Sequence, residues 1–89
     1  MIFVGNGYQD AQQVAKTIGT LDAQATSSQQ TTYINCDTNS SVIITDEALP
    51  LGVEITGIVP GTNAVTWYVT NYSMASQALG SQTFNLIAL

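Results

Sequence analysis

From Thr31 to Leu89 the sequence is one short β-type run after another, broken by turn residues, and this succession limits the fold more than any other feature. Val65, Trp67 and Val69 alternate with Thr66, Tyr68 and Thr70, so one face of a strand is apolar and places Trp67 in the core. Val53 to Val59 also alternates, with Val53, Ile55, Gly57 and Val59 on one face and Glu54, Thr56 and Ile58 on the other. Pro60-Gly61-Thr62-Asn63 between them is a strong turn signal. Thr31–Cys36 and Ser41–Thr45, separated by Asp37-Thr38-Asn39-Ser40, read as a hairpin, and Pro50 disfavours a central strand after it. Thr83–Leu89 closes the chain as a strand apolar on both faces, a pattern that fits a central position or one covered by a partner. Asn71 to Gly80 is ambiguous.

The first third is less regular. Ile2-Phe3-Val4 reads as a short strand running into a turn at Gly5-Asn6-Gly7. Val14, Ile18, Leu21 and Ala25 are spaced four, three and four apart behind a potential cap at Asp10, which favours a helix over 10–18. Gly19 and the β-branched Thr17, Ile18 and Thr20 oppose it, and 19–26 reads as extended. Ser27-Ser28-Gln29-Gln30 reads as a polar loop. The expected fold is therefore mostly β: one domain over 1–89, an antiparallel sandwich or small barrel of about six short strands, with an optional short N-terminal helix.

Composition narrows the function classes. Six acids stand against a single base, Lys16, and charged residues are 8% of the chain, where about 25% is ordinary. Ser, Thr, Asn and Gln supply 33 of the 89 residues instead. A polar, nearly uncharged surface is covered by another protein at low desolvation cost, because few ions must be stripped of water. Nucleic acid and anionic membranes are poor partners for a chain with net charge −5 and one cation. Cys36 is alone, so no internal disulfide forms. The N-terminus lacks the basic start and long apolar run of a signal peptide, and no run reaches membrane-span length, which suggests synthesis in a cytoplasm.

Catalytic and metal-binding chemistry finds little footing. Without histidine there is no neutral-pH proton shuttle and no histidine-activated nucleophile. Lys16 lies in a polar stretch, unlike a desolvated Schiff-base lysine. Asp46 and Glu47 are adjacent, which in a strand sends them to opposite faces and in a turn leaves them solvated. Asp37-Thr38-Asn39 offers oxygen ligands without the later glutamate of a calcium loop, and Gly5-Asn6-Gly7 lacks the lysine of a phosphate loop. The sequence thus predicts no enzyme, no cofactor and no metal.

Binding residues remain. Tyr8, Tyr33, Tyr68 and Tyr72 are amphipathic rings of the type enriched at interfaces, and tyrosine also stacks on sugars. Pro60 to Trp67, ending in Val69-Thr70-Asn71, resembles the tryptophan-bearing strand of bacterial and phage Ig-like domains over about 15 residues. In size and composition the chain is similar to the small β-rich decoration or cement proteins of tailed-bacteriophage capsids, a likeness carried by no single motif. That resemblance implies a structural protein of the virion, made in the host cytoplasm, in a capsid or tail, binding other structural subunits or further copies of itself. Its candidate interface comprises Ile2, Phe3, Val4, Tyr68, Tyr72, Phe84, Leu86, Ile87 and Leu89. The alternatives are a glycan- or surface-binding β module and a small acidic regulatory or inhibitor protein.

Overall fold

A computed structural model of the chain describes residues 10–33, 36–46 and 48–88. The expected Ile2–Val4 strand and Gly5–Gly7 turn, and the interface residue Leu89, lie outside the described residues. Six strands are formed: β1 (Asp10–Leu21), β2 (Thr26–Thr32), β3 (Val42–Thr45), β4 (Val53–Gly61), β5 (Ala64–Asn71) and β6 (Gln77–Ala88). They make two antiparallel three-stranded sheets, ordered β1-β6-β3 and β2-β5-β4. Edge β1 touches edge β2, edge β3 touches edge β4, and only the β4–β5 hairpin joins strands of the same sheet consecutively. The fold is the all-β architecture expected, with about the expected number of strands.

The alternating pattern of β5 is fully expressed. Val65, Trp67, Val69 and Asn71 are buried, while the residues between them are half-exposed on the outer face. Phe84 and Leu86 of β6 face them, and the Trp67 and Phe84 rings meet edge to face at 5.2 Å. Such a pair contributes about 0.5–1.5 kcal/mol beyond area burial. Tyr33 and Cys36 close the core at one end, where the Tyr33 hydroxyl accepts the Ala88 N–H at 3.1 Å. The Trp67 Nε1 is buried with no hydrogen-bond partner among the described residues.

Four expectations are corrected. Residues 10–18 are strand, not helix, and the reason is a bulge. Val14 and Ile18 lie on the inward face with period two; the register with β6 then slips on both sides of Gly19, whose φ of 74° suits glycine, and inward pointing resumes at Leu21. An alternating strand interrupted by one bulge thus reproduces the four-and-three spacing of a helix. Ser27–Gln30 is not a loop but the middle of β2, a strand without one apolar residue, held by its full pairing with β5. The expected hairpin between 31–36 and 41–45 does not form, because β2 and β3 belong to different sheets and β3 pairs with β6. In β4 the register shifts between Ile55 and Gly57, so Ile58 packs against the core while Val59 is exposed, the reverse of simple alternation. The two-faced C-terminal strand, by contrast, is central in its sheet, and it starts earlier than expected, at Gln77.

Candidate functional site

Three connections converge at one pole of the sandwich: the β1–β2 turn, the end of the β3–β4 loop and the β5–β6 loop. Asn71, buried at the end of β5, organises them. Its Nδ2 donates to the carbonyls of Leu21 (3.0 Å), Asp22 (3.2 Å) and Ala75 (2.9 Å). Its Oδ1 accepts the Ser73 N–H at 2.9 Å and lies 2.6 Å from the Ser73 hydroxyl. The backbone continues the tie, with Asn71 N–H donating to Ala25 O and Tyr72 N–H to Gly52 O at 2.7 Å. Gln24, in a left-handed conformation at the turn, donates through Nε2 to Tyr72 O at 2.9 Å and approaches Ser73 O and the Met74 sulfur. A fully satisfied polar network of this kind rigidifies the loops it joins.

On this frame stand large, exposed apolar side chains. Leu51 is 97% exposed, Met74 89% and Tyr72 53%. Isolated exposed apolar residues need no explanation, but here three stand on two loops tied together by hydrogen bonds. Among the described residues, the acid bonded into this pole is Asp22, whose carboxylate accepts from Ser76 at 3.3 Å.

The residues singled out by sequence are dispersed. Tyr72 belongs to this pole. Tyr68 lies half-buried on the outer face of the β2-β5-β4 sheet, its ring against Gly57. Thr56, Thr70 and Thr26 form a hydroxyl ladder on the same face, with successive oxygens 2.9 Å apart. Ile87 is half-buried on the outer face of the other sheet, opposite Ile43, which is 48% exposed. Phe84 and Leu86 are fully buried, so they build the core and offer no surface to a neighbour. Ile2, Phe3, Val4 and Leu89 fall outside the described residues. Sequence reasoning missed Leu51, Met74 and Asn71. The available signal was an apolar residue set among turn-formers, where no strand neighbour exists to cover it.

Among the described residues, no group of three or more His, Cys, Asp or Glu side chains is placed to hold a metal ion, and no helix is long and apolar enough to cross a membrane. Compared with protein families, curated proteins and solved structures, the chain matches none.

Proposed function

We propose that the chain is a non-catalytic structural component of a virion, a capsid decoration or tail protein that binds and stabilises neighbouring structural subunits. The observation that carries this reading is the pole of Leu51, Tyr72 and Met74, three exposed apolar side chains on loops whose backbone is tied by hydrogen bonds before any partner arrives. Preorganisation reduces the ordering that binding would otherwise require. The scarcity of charge on the rest of the chain favours close contact with other subunits, and Ile43 with Ile87 supplies a second apolar strip on a sheet face. Such a role implies many copies per particle in a symmetric arrangement.

The test is quantitative mass spectrometry of sedimenting particles purified from the source, washed in high salt. Dozens to hundreds of copies per particle are expected, falling at least tenfold for a Leu51→Ser/Met74→Ser variant that keeps its melting temperature. Absence of the wild-type chain from every particle fraction overturns the proposal. In that event the Tyr68 face, with its threonine hydroxyls beside an aromatic ring, favours the glycan-binding alternative, and a glycan array with Tyr68→Ala as control addresses it.

A further inference from the structure

Of the three exposed apolar side chains at the Asn71 pole, Met74 carries a reactive atom. A thioether sulfur has two lone pairs and is oxidised where an oxidant can reach it. Met74 is 89% exposed, so a small peroxide in solution meets its side chain without any opening of the fold. The chain's other methionine, Met1, lies outside the described residues.

The sulfur also has a fixed neighbour. Gln24 Nε2 stands 3.7 Å from Met74 Sδ, the range of a weak N–H···S bond. The same nitrogen donates to Tyr72 O at 2.9 Å and to Ser73 O at 3.1 Å, and these two bonds pin the amide. Its backbone is set at the β1–β2 turn, with a φ of 64°. The amide therefore covers one side of the sulfur, and the exposure of Met74 leaves the other side to solvent.

We infer that Met74 is an oxidation site for hydrogen peroxide, with Gln24 as its positioning residue, and that oxidation there weakens the contact the pole makes with a neighbouring subunit; this last consequence rests on the virion reading. The solvent-facing lone pair of the sulfur attacks one peroxide oxygen. The O–O bond breaks, and the leaving hydroxide takes the proton of the transferred oxygen and departs as water. Sulfur loses two electrons to become a sulfoxide, and the peroxide is reduced. The product sets a polar, chiral group where a thioether had stood, which disfavours burial against an apolar neighbour. Because the Gln24 amide covers one lone pair, one sulfoxide epimer forms in excess. Methionine sulfoxide reductases, one enzyme for each epimer, restore the thioether, so the change is reversible.

The test is treatment of the intact chain with hydrogen peroxide, followed by peptide mass mapping and by reduction with each epimer-specific reductase in turn. Met74 is expected to gain one oxygen as fast in the folded chain as in urea, with one epimer in about threefold excess over the other. N-acetyl-methionine methylamide should give equal epimers, and Gln24→Ala should bring Met74 to the same equality. Met74 oxidising at least tenfold more slowly when folded overturns the site, and equal epimers in the wild type overturn the role of Gln24. The oxidised chain is then added to particles stripped of it, with Met74→Leu as the control for oxidation at Met1 or Cys36. Binding should fall about tenfold on oxidation of the wild type, stay unchanged in Met74→Leu, and return after reduction. If wild-type binding survives oxidation, the virion reading stands and the switch fails. If the untreated chain is missing from every particle, the virion reading fails, and the epimer excess still decides the site on the isolated chain.

Discussion

Asn71 is the single residue on which the candidate surface depends. Its side chain serves five atoms from two connections, the β1–β2 turn and the β5–β6 loop, while shielded from water, so truncation leaves buried carbonyls unsatisfied and unties the loop that carries Tyr72 and Met74. Asn71→Ala is expected to destabilise the domain by about 2–3 kcal/mol in urea denaturation, a large share of what an 89-residue domain possesses. Asn71→Asp is the informative companion. It preserves the oxygen that meets Ser73 and removes the three donations, so equal losses would show that the donations to Leu21, Asp22 and Ala75 dominate. Gly57 offers a second, independent test. A Cβ there would stand 3.1 Å from Tyr68 Cδ2, closer than ordinary contact, because the ring lies against the bare backbone at the β4 bulge. Gly57→Ala should cost about 0.5–1 kcal/mol in the wild type and become neutral or stabilising in a Tyr68→Ala background, where only the gain in backbone restriction remains. A double-mutant cycle measures the difference, and additive effects would mean that the ring does not press on Gly57.

At the scale of elements, the seam between β1 and β2 is closed by side chains. Lys16 Nζ donates to Gln30 O at 2.6 Å and Gln12 Nε2 to Thr32 O at 3.0 Å, so carbonyls on the β2 edge that face away from β5 are occupied without strand pairing. Lys16→Met keeps the aliphatic stem and deletes the donor. It should lower stability by about 1 kcal/mol, or about 4–8 °C in melting temperature, and expose a strand edge that a second molecule can pair with. Thermal melts and light scattering across protein concentration check both effects; an unchanged melt with no self-association would mean the seam contributes nothing. The same strands mark where the sequence was readable. β5 and the last part of β6, from Thr83, were legible because their side chains face a dry core and the apolar pattern must follow the pleat. β2 was not, since Thr26 to Thr32 is held as a strand by bonds to β5, and a backbone interaction leaves no apolar signature. Bulges hid the phase of β1 and β4, a backbone irregularity that converts correct residues into the wrong face. The candidate site was legible only at Tyr72, because Leu51 and Met74 stand on loops joined through hydrogen bonds of Asn71 and Gly52 that have no periodicity to detect.

For the whole molecule, the order in which contacts close follows from topology. β4 and β5 are joined by a turn at Thr62-Asn63, where Asn63 adopts a positive φ of 55°, so their pairing is local. β1 and β6 pair from Asp10↔Ala88 to Leu21↔Gln77, joining the two ends of the described chain, and β3 joins β6 across a shorter span, from Val42↔Ala88 to Thr45↔Asn85. Loop closure of that span precedes any return from the contacts, which places refolding in the millisecond-to-second range typical of β sandwiches. Trp67, the chain's only tryptophan, sits at the junction of the two central strands and reports closure of the sandwich by fluorescence. Val69→Ala, in the hairpin, is expected to slow refolding by most of its total destabilisation. Phe84→Leu, on the far side of the Trp67 contact, should chiefly accelerate unfolding, because β6 docks after the hairpin has formed. Stopped-flow chevrons on the two variants decide the order. If Phe84→Leu slows refolding as much as Val69→Ala does, the long-range β1–β6 pairing belongs to the nucleus, and folding begins by joining the ends of the chain.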